Sequence, residues 1–137
     1  MAKGERNGRL SLAKGSETQK RGAKGERRAA LYLRLHGYKI LERNWLFHHK
    51  EVDIIARKGD TIAFVEVKSL KNTGGLRASL QVDAEKRRNL AAAARAYIPR
   101  MGYHNVVIRF DIIEVDLSKK WPLSGIVHLV NAFAVRW

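Results

Sequence analysis

The fold is decided by the segment Glu51–Lys68, whose sequence is EVDIIARKGDTIAFVEVK. β-Branched and apolar residues flank its central Gly59-Asp60 dipeptide, a pattern that is typical of a β-hairpin. Glycine at the first position of a two-residue loop supplies the positive φ that a type II′ turn needs. The sequence therefore predicts two antiparallel strands that are joined at Gly59 and Asp60.

A two-residue loop fixes which side chains of the hairpin lie opposite each other. It pairs Asp53 with Glu66 and Glu51 with Lys68, and because strand side chains alternate, all four project from one face. The other face is apolar and is expected to belong to the core. Its opposed pairs are Val52 with Val67, Ile54 with Val65, and Ala56 with Ala63. A three-residue loop would instead place Asp53 and Glu66 on opposite faces.

Asp53 and Glu66 are the candidate metal ligands. Opposed strand residues hold their Cβ atoms roughly 4.5–5.5 Å apart, where like charges repel each other. Mg²⁺ would relieve this repulsion, because it binds one or two carboxylates together with water and substrate phosphate. Lys68 could then stabilise the charge that develops on a phosphate. The competing interpretation is a surface hairpin with a Glu51–Lys68 ion pair.

The composition favours one compact domain that binds a polyanion. Among 137 residues, Lys and Arg outnumber Asp and Glu by 27 to 13, which gives a net charge of +14. This excess indicates nucleic acid, with a membrane surface as the competing polyanion. The chain has no cysteine, which excludes a disulfide framework and a thiolate zinc site. Since it has neither a membrane-spanning run nor the apolar core of a signal peptide, we expect a cytoplasmic protein.

The remaining chain divides into a tail and one folded domain. Residues 1–19 are rich in Gly, Ser and charged residues and predict a disordered basic tail, so the domain is expected over residues 20–137. Outside the hairpin, the patterns predict two helices, over Thr18–His36 and Asp83–Ile98, and three strands, over Tyr38–Phe47, Val106–Val115 and Ile126–Val135. The order αβββαββ indicates an α/β fold with a mixed central sheet flanked by helices.

Glu26 is the candidate acid of the first helix. It lies on the same helical stripe as Ala30 and Leu33, where a carboxylate needs a partner. That partner can be the metal site of the hairpin. A role at the positive end of the helix dipole, or in an ion pair with Arg, has equal weight.

Basic residues around the hairpin are candidates for binding a phosphate backbone. They lie in the loop after it and on the second helix, at Lys71, Arg77, Lys86 and Arg87. A flexible connector and a solvated helix face are the competing interpretations. The adjacent His48 and His49 point to opposite sides of a strand end and are expected to be loop residues. Arg109 and Asp111 share a strand face, which favours a structural ion pair.

Several short motifs together resemble one protein family. They are Gly25-Glu26, His36–Leu41, Glu51–Ala56, Phe64–Lys68, Asp83–Arg88 and Arg109–Asp111. In these motifs the sequence resembles the YraN family of bacterial proteins, whose members are similar to archaeal Holliday-junction resolvases. The resemblance covers Lys20–Phe133. It implies the restriction-endonuclease-like fold of the PD-(D/E)xK nucleases.

The resemblance also implies a site of two carboxylates and one lysine. Asp53 and Glu66 match the acids that bind Mg²⁺ or Mn²⁺, and the backbone carbonyl of Val67 often completes such a site. Lys68 matches the catalytic lysine. Glu26 matches a first-helix acid that binds the metal through water.

Two further positions follow from the same resemblance. Lys86 matches a basic position on the second helix that supports the site. The family usually has Gly-Glu before the Asp-containing strand, whereas this chain has Lys50-Glu51, which removes an easy close approach of the backbone. Glu51 is therefore an auxiliary candidate only.

These patterns together predict a metal-dependent nuclease that hydrolyses DNA phosphodiester bonds. We expect it to select DNA by structure or backbone, including branched, repair or recombination intermediates, because few residues suit the reading of base edges. Similarity to resolvases implies a homodimer. One alternative is a non-catalytic nucleic-acid-binding module with the same fold, and another is a basic scaffold or membrane-surface adaptor.

Overall fold

Two helices and five strands follow one another in the computed structural model, which describes residues 17–71, 84–120 and 123–134. They are α1 (Glu17–Leu35), β1 (Lys39–Phe47), β2 (Lys50–Lys58), β3 (Thr61–Leu70), α2 (Ala84–Arg100), β4 (Val107–Asp116) and β5 (Ile126–Leu129). The predicted order αβββαββ is confirmed. The first sixteen residues of the predicted tail lie outside the described residues. The last strand ends at Leu129, earlier than the predicted Val135.

The strands form one mixed sheet in the order β1-β2-β3-β4-β5. The β3–β4 pair is parallel and the other three pairs are antiparallel. A parallel pair needs a long crossover connection, and here that connection contains α2. Along this pair, Glu66 lies beside Ile112 and Lys68 lies beside Glu114.

The hairpin register follows the two-residue loop. Gly59 has a φ of 61°, and the strands pair from Lys58 opposite Thr61 to Ile54 opposite Val65. The three-residue alternative is therefore excluded. The described β2–β3 ladder stops at this pair, so the predicted opposed pairs Asp53 with Glu66, Val52 with Val67 and Glu51 with Lys68 are not part of it.

The sheet buries both of its faces. On one face, α1 contributes Ala29, Ala30 and Leu33 to a cluster with hairpin residues, which are Ile54, Ala56, Ala63 and Val65. On the other face, the cluster contains side chains of β2, β3, α2 and β4, among them Ile55, Phe64, Leu90, Tyr97 and Ile112. The interpretation of Glu51–Lys68 as a surface hairpin is therefore wrong, because helices cover both faces.

Val52 departs from the predicted pairing. It belongs to the cluster on the α2 face and does not share the cluster of Ile54. Val52 lies opposite Trp45, whose ring packs edge-on against Tyr97 of α2 at 5.2 Å, and Ile54 lies opposite Arg43. Asn44, between these two β1 residues, has a φ of 53°, so regular alternation is interrupted here and Val52 lies on the α2 side of the core.

The helices end close to the predicted positions. Gly37 adopts a φ of 90° after α1, and the N–H of Tyr38 donates to the carbonyl of Leu33 at 2.9 Å, so the glycine ends the helix as expected. Helix α2 continues through Pro99 to Arg100, two residues beyond the predicted end. Pro99 has no N–H, so the helix lacks one hydrogen bond at this position. The next turn still closes, because the N–H of Met101 donates to the carbonyl of Tyr97 at 3.0 Å.

Gly25 allows α1 to approach β3 closely. A Cβ atom at this position would overlap Ser69 Oγ and lie 3.1 Å from Ser69 Cβ, whereas nothing lies within 4 Å of a Cβ at Gly22. We expect Gly25→Ala to lower the free energy of unfolding by ~1–3 kcal/mol through overpacking. Gly22→Ala, the matched control, should raise it by ~0.5–1 kcal/mol through helix propensity. Urea denaturation checks both, and a stabilising Gly25→Ala would contradict the close approach.

Neither helix of the described part of the chain is long and apolar enough to cross a lipid bilayer.

Candidate functional site

Asp53 lies where the paired part of the hairpin ends. The pairing of β2 with β3 reaches Ile54 opposite Val65. One residue further, Asp53 Oδ2 accepts a hydrogen bond of 2.8 Å from the backbone N–H of Val67. The carboxylate is thereby held against β3, directly beside the residue that follows Glu66.

Glu66 is a buried carboxylate between two ammonium groups. Its exposed fraction is 5%. Lys68 Nζ lies 3.3 Å from Oε2, and Lys86 Nζ of α2 lies 3.3 Å from Oε1. The Lys86 contact has the distance of an ion pair, yet Oε1 has no hydrogen-bond partner in the described structure. A buried oxygen that lacks a hydrogen bond is a natural place for a cation to bind.

Burial and the neighbouring Glu66 make the Asp53 carboxyl group costly to ionise. Burial, followed by the Glu66 charge, raises the pKa of Asp53 to about 7, although the hydrogen bond from Val67 and the charge of Lys86 act in the opposite direction. Like charges in a partly dehydrated site need a proton or a cation between them. Near neutral pH, the Asp53 carboxyl group is therefore close to the midpoint between its protonated and ionised forms.

Two further acids, Glu26 and Glu51, contribute negative charge around this pair. The pKa of Glu51 is raised, first by desolvation and then by the charge of Glu26, which also raises the pKa of Asp53. Within residues 17–71, 84–120 and 123–134, no three His, Asp or Glu side chains form a group able to hold a metal ion. The effects on these pKa values place Glu26 and Glu51 in the electrostatic surroundings of the pair.

The donor set of the site fits a hard divalent cation. Asp53 and Glu66 supply carboxylate oxygens, one of them buried without a hydrogen bond, and Mg²⁺ or Mn²⁺ is commonly held by one or two carboxylates plus waters. The N–H of Val67 donates a hydrogen bond to Asp53. The carbonyl of Val67, the residue after Glu66, belongs to this same part of β3. The residues present therefore match the requirements of Mg²⁺ or Mn²⁺.

The residues proposed to bind phosphate are not all equivalent. Lys86 contacts Glu66. Lys71 is exposed just after β3. The exposed Arg87 lies over the ring of Phe133, with its guanidinium carbon 5.5 Å from the ring centre. The position of Arg77 lies outside the described residues. Of the four proposed residues, Lys71 and Arg87 are thus the two that the structure describes as exposed. Lys71 follows the end of β3, and Arg87 lies in the first turn of α2.

Glu114 is a residue of this region that the sequence analysis missed. It lies beside Lys68 in the parallel β3–β4 register, and its exposed fraction is 4%. Parallel neighbours project from the same face of a sheet, so Glu114 shares the face of Glu66 and Lys68. Its sequence signal is a carboxylate that interrupts the apolar run of β4, but its place beside Lys68 depends on a pairing that local sequence does not reveal.

The raised pKa of Asp53 predicts how stability depends on pH. Between pH 4 and about 7 the unfolded carboxyl group is ionised while the folded one keeps its proton, so the free energy of unfolding falls as the pH rises through this window. Asp53→Asn removes the ionisation. We expect this variant to be ~2–4 kcal/mol more stable than the wild type at pH 8, and equally stable at pH 4.

Thermal and urea denaturation at pH 4 and pH 8 in a chelating buffer measure this difference. Adding Mg²⁺ at pH 8 should stabilise the wild type and leave Asp53→Asn unchanged, because a ligand stabilises only the state that binds it. An Asp53→Asn protein that is less stable than the wild type at pH 8 would contradict the proposed repulsion.

Comparison with known proteins identifies the family. A profile described as Uncharacterised protein family UPF0102 matches residues 25–115. A UPF0102 protein of Geobacter metallireducens is 39% identical over 116 residues, covering 85% of this chain and 93% of the relative. One from Parabacteroides distasonis is 43% identical over 114 residues, with coverages of 82% and 90%. One from Clostridioides difficile is 41% identical over 115 residues, with coverages of 84% and 97%. The resemblance to YraN is confirmed, and the chain belongs to the UPF0102 family.

Proposed function

We propose that this protein is a metal-dependent nuclease that hydrolyses DNA phosphodiester bonds. In this proposal the mixed sheet is a restriction-endonuclease-like fold, similar to that of archaeal Holliday-junction resolvases, and its substrates are branched, repair or recombination intermediates. The observation that supports it best is the pair Asp53 and Glu66, since the Glu66 charge raises the pKa of Asp53 and Lys68 lies beside Glu66. The proposal includes a cytoplasmic location and a homodimer.

The two acids would hold one divalent cation, Mg²⁺ or Mn²⁺, together with the carbonyl of Val67. When bound, the cation supplies positive charge that polarises a phosphodiester and makes a water molecule more acidic. Asp53 is oriented for this role by its hydrogen bond to the N–H of Val67. Glu66 is held from both sides by ammonium groups. Glu26 would contribute through water.

Lys68 is the residue that we assign to the reacting phosphate. Its side chain is 31% exposed, while the carboxylate beside it is 7% exposed, so the ammonium group has access to a ligand from solvent. A cation aimed at the place where negative charge develops lowers the barrier of phosphoryl transfer. Lys86 reaches the other oxygen of Glu66 and would keep that carboxylate in place.

Binding of the DNA backbone would rest on the net charge of +14 and on exposed basic residues near the site. Lys71 and Arg87 are exposed, and Arg77 is added from the sequence. Each neutralised phosphate releases counterions, so the affinity should fall steeply with salt. Few of these side chains suit base reading, which favours selection by DNA structure.

A cleavage assay tests this function. Wild-type protein is incubated with linear, flapped and four-way DNA, with single-stranded RNA as a further arm, in Mg²⁺, Mn²⁺ or a chelator. We expect cleavage of branched DNA only with metal, and its loss in Asp53→Asn and Lys68→Ala prepared in the same way. Equal cutting by the wild type and both variants would indicate a contaminating nuclease and defeat the assignment.

A non-catalytic nucleic-acid-binding module is the second candidate. It is favoured by the two ion pairs of Glu66, since Lys68 and Lys86, both 3.3 Å away, can neutralise the carboxylate without a metal. This function predicts DNA binding that Asp53→Ala leaves unchanged, no effect of Mg²⁺, and no cleavage. The proposed nuclease predicts tighter DNA binding with Ca²⁺, which commonly supports binding through similar oxygen ligands, and loss of that gain in Asp53→Ala.

A further inference from the structure

The turn between β1 and β2 presents exposed apolar and aromatic side chains to solvent. We call residues 46–50 the turn tip; it consists of Leu46, Phe47, His48, His49 and Lys50. Leu46 is 64% exposed, the largest exposed fraction among the large hydrophobic residues of the described structure. His48 and His49 are exposed too. Surface leucines need no special explanation singly, but this one precedes Phe47, whose ring belongs to a row of rings that runs into the core.

A continuous row of aromatic rings links the turn tip to the core. The ring of Tyr97 lies 5.9 Å from Phe64 and 5.2 Å from Trp45. Trp45 and Phe47 are parallel, with centroids 6.1 Å apart, and Phe47 lies 4.4 Å from His48. The inner rings are buried and the outermost one, His48, is exposed. Packing from behind therefore fixes the outer rings before any ligand arrives.

The backbone of the turn also holds His48 in a defined conformation. His48 has a φ of 57°, in the left-handed region that few residues other than glycine adopt, although histidine tolerates it better than most. Phe47 lies opposite Lys50 across the turn. The φ restrains the backbone of His48, and the contact with Phe47 restrains its ring. The ring therefore loses little conformational freedom on binding, which favours affinity for a flat ligand.

The turn tip lies at the same end of the sheet as the two carboxylates. Leu46 is opposite Glu51, and Asp53 follows two residues further along β2. The pKa of Glu51 responds to Glu26, Lys86 and Glu66, so this residue belongs electrostatically to the site. A polymer that crosses the carboxylates would therefore pass close to the turn tip.

The chemistry of the turn tip matches an unpaired nucleotide. Exposed rings stack on bases of any sequence, and cations beside them contact the phosphates. Lys50 supplies such a cation, with its Nζ 5.9 Å from the centre of the Phe47 ring. Paired bases inside a duplex have no free face, so stacking here requires a base that has left the helix.

We propose that the turn tip binds an unpaired DNA base next to the scissile phosphate, with His48 as the stacking surface and Leu46 as an exposed apolar side chain of the same turn. This inference deepens the proposed function and rests on it, because it names the feature of the DNA that the site selects. Flapped and gapped DNA present such a base, whereas continuous duplex does not. The turn tip is thus a specificity element for DNA with unpaired nucleotides.

The test measures binding separately from cleavage. DNA carries the fluorescent base 2-aminopurine at the first unpaired position of a flap, and a continuous duplex carries it in a paired position. Affinity and 2-aminopurine emission are measured in a chelating buffer, for the wild type, His48→Ala and Leu46→Ala. The matched control is His104→Ala, since His104 is also exposed but precedes β4, whose first residue bonds to the Gly59-Asp60 turn at the other end of the sheet.

We expect the wild type to prefer the flap and to change its 2-aminopurine emission. His48→Ala should reduce that preference roughly fivefold or more, the range of one stacked base, and Leu46→Ala should reduce it less. His104→Ala should behave like the wild type. Equal preferences in His48→Ala and His104→Ala, a wild type without preference, or no DNA binding would each overturn the inference.

A parallel cleavage assay with Mg²⁺ separates this inference from the proposed function. If the wild type cuts no DNA but His48→Ala alone loses the flap preference, the hydrolytic function is wrong and the turn tip is a binding element. If the wild type cuts flaps and His48→Ala keeps full preference for them, the nuclease stands and the turn tip has no part in selection. Circular dichroism of each variant confirms that it is folded.

Discussion

Lys68→Ala is expected to slow DNA cleavage by roughly 10²–10³-fold, the effect of removing one preorganised electrostatic group from an active site. Lys68 is on the same face of β3 as Glu66, its Nζ is 3.3 Å from Oε2, and 31% of its side chain is exposed. It is thus fixed by the site and still open to a substrate. Its loss should not weaken the affinity for metal, because Asp53 and Glu66 remain and one competing cation is removed.

Comparison with two other lysines makes this prediction specific. Lys86 contacts the second oxygen of Glu66 from α2, so Lys86→Ala should cost less, roughly 10- to 100-fold, as for residues that support ligands. Lys39→Ala is the control, since Lys39 is exposed and pairs with Arg57 at the far end of β2. Single-turnover rates at saturating DNA measure the chemical step alone. Equal rates for Lys68→Ala and Lys39→Ala would remove Lys68 from the mechanism.

Asp111→Asn is expected to lower the free energy of unfolding by ~3–5 kcal/mol, the cost of removing one partner from a buried ion pair. Asp111 is fully buried. Oδ1 accepts hydrogen bonds of 2.9 Å from Arg109 Nε and from the N–H of Asn131. Oδ2 accepts one of 2.8 Å from the Arg109 guanidinium and lies 2.8 Å from His128 Nε2. An amide cannot replace these interactions, because its NH₂ group would face donors.

This network also connects elements that are distant in sequence. Arg109 donates to the hydroxyl of Tyr38 at 2.6 Å, and His128 Nδ1 lies 3.2 Å from the hydroxyl of Tyr32 in α1. Asp111 thus joins α1 and the residue before β1 to β4 and β5. The Arg109–Asp111 pair that the sequence suggests is formed, at 2.8 Å, and it is the centre of a larger network.

The pH dependence of this loss has a definite sign. Burial alone would raise the pKa of Asp111, but the hydrogen bonds from His128, Arg109 and Asn131 outweigh it and hold the pKa below its usual range. A lowered pKa contributes stability above the pKa of the unfolded state, and that stability is lost on acidification. The difference between the wild type and Asp111→Asn should therefore shrink below about pH 4.

Urea denaturation at pH 7 and pH 3.5 measures this effect. Asp60→Asn is the matched control, because Asp60 is exposed in the hairpin turn and its substitution should change stability by less than ~0.5 kcal/mol. Equal stabilities of the two variants at pH 7 would mean that the network contributes nothing beyond packing.

The hairpin was predictable because its information is local. Gly59-Asp60 determines the loop, and the loop determines the register. The pairing therefore ends at Ile54 and Val65, whose next residues in the two strands are Asp53 and Glu66. Alternation then separates the charged positions from Ile54, Val65 and Ala63. None of these steps needs a residue from elsewhere in the chain.

The remaining contacts of the site depend on packing between distant segments. Glu114 lies beside Lys68 only because β4 is parallel to β3. Lys86 reaches Glu66 because α2 covers that face of the sheet, and the same helix makes the hairpin a buried element. The partners of Asp111 come from β5 and the segment after it. The spacing of residues within one segment does not predict such neighbours.

The central claim is that Asp53 and Glu66 together form a site for one divalent cation. Calorimetric titration of the metal-free protein with Mn²⁺ tests it most directly, at pH 8 and at pH 6, with the wild type, Asp53→Asn and Glu66→Gln. We predict one Mn²⁺ per chain for the wild type, weaker binding at pH 6 because a proton competes at Asp53, whose pKa is about 7, and a loss of affinity of roughly 100-fold or more in either variant. Binding that is absent in the wild type, or unchanged by both substitutions, would contradict the account.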